Sequence, residues 1–282
     1  MNLLEFPRAP RVLVTGASDG LGRETARQLA ARGAEVIVHG RSPERVSAAA
    51  AEVRAAGGGA EVQEIVGDLA SLDAVRALAD ELGDRFDRLD VLLNNAGVYM
   101  RQRELTADGF ERTFAVNHLA PFLLTHLLLP LLEESAGPRV VNVASVAHQN
   151  ARLDWDNLQG ERQFTAYGAY ALSKLANVLF TGELARRLGH RVTVNCLHPG
   201  VISTKLLRQG FGIQGPDRLE DGAAAILHLA LAPELAGTTG RYFVAGRPVP
   251  VAPLAADPRL AGRFYELSCA LVDLPGLPRP AA

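Results

Sequence analysis

"RVLVTGASDGLGRE", residues 11–24, is an apolar run that breaks on a cluster of glycines and resumes as a helix-like segment. Glycine tolerates positive φ and lets backbone come close to a phosphate. A helix start supplies free N–H groups and a positive dipole end. A glycine cluster alone is equally a tight turn with a helix cap. A strand before it and a helix after it make it a candidate dinucleotide cradle. Gly16, Gly20 and Gly22 set the spacing T-G-x-x-x-G-x-G, and Ser18, Asp19 and Leu21 complete the turn.

Working outward, short strand-like runs alternate with helix-like segments. "AEVIVHG" leads into "SPERVSAAAAEVRAAG", where Ser42 is a plausible N-cap and Pro43 stands at the first helical position. "AEVQEIVGD" precedes a helix near 71–86. "LDVLLNNAG", "PRVVNVAS", "RVTVNCLHPG" and "GRYFVAG" are further strand candidates. The rhythm implies an α/β fold with a parallel sheet and helices on both faces. Uninterrupted runs such as "VVNV" suit strands buried on both sides. No repeat or linker divides the chain, so residues 1–282 read as one domain with a catalytic core at 11–245 and a C-terminal extension at 247–282. The glycine-spaced segment 201–217 reads as a lid.

The formal net charge of −2 favours neither nucleic acid nor an anionic membrane as a partner. Cys196 and Cys269 are the two cysteines, too few for a metal cluster or a disulfide framework, which fits a cytoplasmic protein. The N-terminal "MNLLEFPRAP" has no signal-peptide character. The longest apolar stretch, residues 119–132, is too short for a bilayer and reads as a buried helix.

At the end of the second strand, Gly40 and Arg41 stand where a carboxylate would bind the ribose hydroxyls of NAD. A guanidinium there suits a 2′-phosphate, which favours NADP(H) while leaving NAD(H) open. Arg23 adds charge nearby but reads more simply as a solvated surface residue.

"TAYGAYALSKLANVLF", residues 165–180, carries two tyrosines and a lysine. Tyr170 and Lys174 are one helical turn apart, roughly 6 Å. Tyr167 lies two turns from the lysine, about 10 Å along the axis. Only Tyr170 is placed to feel the ammonium, which would lower its pKa for acid/base work. Tyr170, Ser173, Lys174, Asn177 and Thr181 form one polar stripe, which by itself could simply face water. Ser145 closes a central strand at the edge where open α/β sheets bind ligands, though a lone serine there is more often a turn cap. His148 follows it closely and is a candidate substrate contact, as is Tyr167. His118 and His126 lie in an apolar helix and read as packing residues.

"TGASDGLG", "NNAG", the serine of "NVAS" and "YALSK", in that order, resemble the short-chain dehydrogenase/reductase family across roughly residues 11–245. "NHLAPFLLT", "SKLANVLF" and "HPGVIST" look like its retinol dehydrogenase-like branch, in a soluble bacterial-type form. The resemblance implies a Rossmann-type doubly wound sheet of order 3-2-1-4-5-6-7. It implies that Asp68 and Leu69 lie near the adenine, that Asn94, Asn95, Ala96 and Gly97 support the sheet and line the cleft, and that Pro199, Gly200, Ile202 and Thr204 hold the nicotinamide end. It implies Asn117, Ser145, Tyr170 and Lys174 as the catalytic set, with Asn117 in a proton relay, and no metal. It also offers a homodimer or homotetramer packed through the helix of Tyr170 and the apolar helix.

The expected activity is therefore carbonyl–alcohol interconversion with NADP(H), on a small lipophilic molecule held by Leu206, Leu207, Phe211 and Ile213. An NADP(H)-binding sensor, or a lyase or isomerase on the same scaffold, are the alternatives.

Overall fold

The structure, a computed structural model, describes residues 8–279. The signal-peptide reading of the first residues and the two ends of the 1–282 domain fall outside that range.

Strands β1 (Arg11–Val14), β2 (Glu35–Gly40), β3 (Val62–Val66), β4 (Val91–Asn94), β5 (Arg139–Val143), β6 (Thr193–His198) and β7 (Tyr242–Val244) pair in parallel. β8 (Arg247–Val249) adds an antiparallel edge, giving the order β3-β2-β1-β4-β5-β6-β7-β8. The expected order thus holds, with one strand more. β5 is buried at every position, as its unbroken apolar pattern requires.

One sheet face carries α1 (Gly20–Ala30), α2 (Pro43–Gly57) and, later in the chain, α8 (Leu219–Leu231). The other carries α3 (Leu72–Arg85), α4 (Arg112–Phe114), α5 (Ala120–Leu127), α6 (Leu129–Glu133) and α7 (Ala166–Leu188). Ser42 caps α2 with Pro43 at its start, as expected, and Gly58 ends it at a φ of 55°. The apolar stretch 119–132 is not one helix. A π-helical turn at Ala115–Leu119 leads into α5, and the chain breaks at Leu128 before α6.

The C-terminal segment is part of the core. After α9 (Pro253–Ala256), helix α10 (Pro258–Leu271) lies along α7 and buries Ala261, Phe264, Tyr265 and Cys269. It also provides partners for the two histidines of the apolar stretch: His118 meets the Ser268 hydroxyl at 2.8 Å and His126 meets the Tyr265 hydroxyl at 2.7 Å. So the helices that the sequence offers to a symmetry mate are packed against α10 of the same chain. No described helix is long and apolar enough to cross a membrane.

Candidate active site

Seven parallel strands end at one edge of the sheet, so the segments that follow β1, β2, β4, β5 and β6 converge there. The turn after β1 needs its glycines. Gly16 and Gly20 have φ of 67° and 50°, and a Cβ on Gly16 would stand 2.9 Å from Ala96 Cα. A Cβ on Gly22 would collide with the Asn95 side chain and the Gly16 carbonyl. The "NNAG" segment is tied to this turn. Asn95 Nδ2 donates to the Thr15 carbonyl at 2.8 Å, and the Asn95 and Ala96 amides donate to Thr15 Oγ1. Asn94 braces the sheet, donating to Thr125 and Asn142 side chains.

His39 is a residue that the sequence reading missed. It is buried, accepts from the Gly16 amide through Nδ1 at 3.3 Å, and holds the Gly67 carbonyl through Nε2 at 3.2 Å. Burial pushes its pKa down to about 4, so it stays neutral and Nε2 is the donor. It pins the glycine turn between the ends of β2 and β3. The available signal was a lone histidine in an apolar strand.

Asp19 caps α1, its side chain accepting from the Gly20 amide at 2.7 Å. The first-turn amides of α1 have no partner within the helix, and so face this edge as donors. Arg41 is exposed at the end of β2. Asp68 Oδ1 accepts from the Ala70 amide, and Leu69 is buried in the core. Across the cleft, Gly200 turns the chain at a φ of 108°, beside Pro199, and Ile202 packs down on α8 at Gly222. Thr204 Cγ2 comes within 3.8 Å of where a Cβ on Gly20 would lie. The segments expected to hold a dinucleotide thus meet at one edge of the sheet, with Leu69 drawn into the core, and glycine turn, helix terminus and arginine fit a diphosphate with a further phosphate.

The catalytic candidates meet beside it. Thr165 caps α7, accepting from the Gly168 amide at 3.1 Å, and this sets where the first turn begins. One turn on, Tyr170 is 8% exposed, and the Ser145 side chain lies close enough to its hydroxyl to act on its proton. Lys174 is 3% exposed, its Nζ 5.6 Å from the Tyr170 ring and donating to the Val143 carbonyl at 2.8 Å. Asn117 sits in the π-helical turn. Its Nδ2 donates to the Val98 carbonyl and to Ser173, and its Oδ1 accepts from the Val98 amide. Gly97 lies between them: a Cβ there would be 3.5 Å from Asn117 Oδ1 and 3.7 Å from Lys174 Nζ.

The polar stripe of α7 is turned inward and not to water: Tyr170, Ser173, Lys174, Asn177 and Thr181 are all buried, and so is the apolar side. Two expectations need correction. The phenol pKa is not lowered. Burial pushes Tyr170 up to about 12, against the opposing effect of the Ser145 side chain, and pushes Lys174 down to about 8. His148 is not at the pocket wall. It is 1% exposed, with Nδ1 on the Ser145 carbonyl and Nε2 accepting from the Ala252 amide.

The segment 201–217 is pinned at its base. Ser203 Oγ accepts from the Gly215 amide at 2.8 Å, and Asp217 accepts from the Val201 amide at 2.5 Å. Its π-helical turn, Leu206–Phe211, lays Phe211 edge-on over Tyr170 at 5.3 Å between ring centres. Leu206 reaches toward Gly97 and packs with Tyr170 and Ala147. Ile213 points outward at 51% exposure, contrary to expectation. Tyr99, which the sequence reading passed over, fills that place, its ring 4.3 Å from Phe211 and 5.6 Å from Tyr170. Its position straight after "NNAG" was the signal. Tyr167 is at the rim, 41% exposed, held by Asn150 and edge-on to Phe211.

Comparison with known proteins agrees with this geometry. The family model for short chain dehydrogenase matches residues 10–211. Retinol dehydrogenase 12 of Bos taurus is 42% identical over 272 residues, covering 93% of this chain and 86% of its own. Human retinol dehydrogenase 11 is 42% identical over 276 residues, covering 94% and 86%. Among solved structures, an uncharacterized protein from Mycobacterium paratuberculosis superposes with a TM-score of 0.80 at 33% identity, covering 99% of each chain. A short chain dehydrogenase from Shigella flexneri, complexed with NADP, superposes with a TM-score of 0.70 at 30% identity, covering 84% of this chain and 97% of its own.

Proposed function

Because the chain belongs to the short chain dehydrogenase family of oxidoreductases, we propose that it interconverts a carbonyl and an alcohol on a small lipophilic molecule, with NADP(H) as its redox cofactor. The observation that carries this reading is the convergence of Ser145, Tyr170 and Lys174 next to the glycine turn.

Gly16, Ser18, Gly20, Leu21 and Gly22 would hold the diphosphate at the start of α1, with Arg41 toward the 2′-phosphate. Lys174 and Asn117 stand beside Gly97 for the nicotinamide end. When bound, the reduced cofactor supplies a hydride to the carbonyl carbon. The chain's own groups handle the oxygen. The Tyr170 hydroxyl donates the proton, and the Ser145 hydroxyl orients the oxygen and stabilises the charge that grows on it. In the reverse direction the same tyrosine accepts the proton. Tyr99, Leu206 and Phe211 line the approach with ring and alkyl surface and keep water from the reacting atoms. That lining favours an apolar ketone, aldehyde or alcohol, consistent with the retinol dehydrogenase names of the relatives.

The test is absorbance at the nicotinamide band with NADPH and a panel of lipophilic aldehydes and ketones. Tyr170→Phe should lose about 10²–10⁴-fold in turnover, and Tyr167→Phe should keep most of it. Equal losses would refute the assignment of the acid. Binding of NADPH without turnover across the panel would point to a sensor or a non-redox reaction.

A further inference from the structure

One corner of the cofactor cleft holds an ion pair that the NADP(H) reading does not use, and the inference drawn from it rests on that reading. β2 and the glycine turn touch: a Cβ on Gly40 would lie 2.9 Å from Cβ and Oγ of Ser18. Three arginines surround the contact, and they are not equivalent. Arg23 is engaged with Glu52 at 3.0 Å. Arg41 is exposed and makes no ion pair among the described residues. Arg45, in the first turn of α2, reaches back to the glycine turn, with Nη2 2.9 Å from Asp19 Oδ2.

The Asp19 end of this pair sits in an unusual place. Its other oxygen caps α1, accepting from the Gly20 amide at 2.7 Å. So a carboxylate of the protein itself stands at the positive end of α1, at the edge where this class of turn receives phosphate. Two acceptors compete for such a corner. A carboxylate takes ribose hydroxyls, and a guanidinium takes a 2′-phosphate. This chain carries both and ties them together. A guanidinium has five N–H donors in a fixed fork, so Arg45 can keep Asp19 on one nitrogen and offer the others to a second anion. The start of α2, capped by Ser42, adds its own positive end at the same corner. Glu44 is the other acid there, held by the Ser42 hydroxyl at 2.6 Å.

We propose that the Asp19–Arg45 pair sets the choice between NADPH and NADH. Arg45 is a second guanidinium for the 2′-phosphate beside Arg41, and Asp19 competes with that phosphate for it while remaining available to a free ribose hydroxyl. The pair is half exposed on both sides, at 46% and 48%, so it contributes little to folding and is free to answer to a ligand.

The test is equilibrium titration with NADPH and with NADH, followed by nicotinamide fluorescence, on the wild type and on Arg41→Ala, Arg45→Ala, Arg45→Lys and Asp19→Asn. Asparagine caps a helix as well as aspartate, so Asp19→Asn removes charge and not the cap. Arg45→Ala should lower the ratio of NADPH to NADH affinity about tenfold, the size of one charged hydrogen bond. Arg45→Lys should fall between, and Asp19→Asn should raise the ratio about threefold or more by removing a like charge. A wild-type ratio in Arg45→Ala together with no rise in Asp19→Asn overturns the inference. The NADP(H) reading survives that result if Arg41→Ala still lowers the ratio. A wild type that binds NADH as tightly as NADPH overturns the reading itself. Thermal melts without cofactor check that each variant is folded, and the exposed pair should leave them close to wild type.

Discussion

Lys174 should destabilise the fold it sits in, and by an amount the structure sets. Its side chain is 3% exposed, and no described carboxylate pairs with it. Its one hydrogen bond goes to the Val143 carbonyl at 2.8 Å. Burial lowers its pKa from 10.5 to about 8. The sign follows from linkage. Below pH 8 both folded and unfolded chains carry the proton, and the folded state bears the full burden of a buried ammonium. Between 8 and 10.5 the unfolded chain binds more protons than the folded one, so stability rises with pH. At pH 7 the burden is about 3 kcal/mol. Lys174→Met keeps the length and removes the charge. In the cofactor-free protein it should raise the melting temperature at pH 7 by up to about 5 °C for a chain of this size, less a pH-independent loss for leaving Val143 without its donor. The pH-dependent part is free of that loss: the variant's advantage over wild type should shrink by about 2 kcal/mol on going from pH 7 to about pH 9.5. Denaturant melts at the two pH values measure it, and turnover should vanish in the same variant. An advantage equal at both pH values, or a variant less stable than wild type by the same margin at each, would refute the reasoning.

Other elements yield shorter tests. Phe211→Ala takes the ring off Tyr170 and opens the mouth, so KM should fall for bulky substrates relative to small ones, with little change in melting temperature, because Phe211 is only partly buried. His39→Ala leaves the Gly16 amide and Gly67 carbonyl without their partner, each costing about 1–3 kcal/mol, and should weaken cofactor binding more than the loss of any exposed residue of the turn. Phe264→Ala empties a side chain 1% exposed between α10, His118 and Trp155, which should cost about 3–5 kcal/mol in a denaturation midpoint and uncover the α7 face to self-association, visible by light scattering.

The parts legible in the sequence are those set by local pattern. A strand–glycine–helix succession dictates a doubly wound sheet, and the interval between Tyr170 and Lys174 dictates which tyrosine meets the lysine. The parts that were not legible depend on what covers each element. Nothing in "TAYGAYALSKLANVLF" says that both sides of the helix are buried, because its outer cover, α10, lies about 90 residues later and was read as a proline-rich extension. His39 and Tyr99 escape the sequence reading, and His148 is misplaced by it, for the same reason: each takes its role from a neighbour distant in sequence, Gly16, Phe211 and Ala252.

Burial also bears on the chemistry. Helical spacing correctly brings an ammonium within one turn of the phenol, and from this the sequence reading expected a lowered tyrosine pKa. Burial acts on both groups at once, and it drives each toward its neutral form: the phenol up to about 12 and the ammonium down to about 8. At neutral pH the pair is therefore a protonated phenol beside a charged lysine whose pKa lies only about one unit above that pH. A phenol in that state can hand its proton to a carbonyl oxygen without any prior step, whereas accepting one from an alcohol first requires removing a proton held with a pKa near 12. In the proposed reaction the folded site is thus readied as the acid, and the cover of Tyr170 by Tyr99, Leu206 and Phe211 is what readies it.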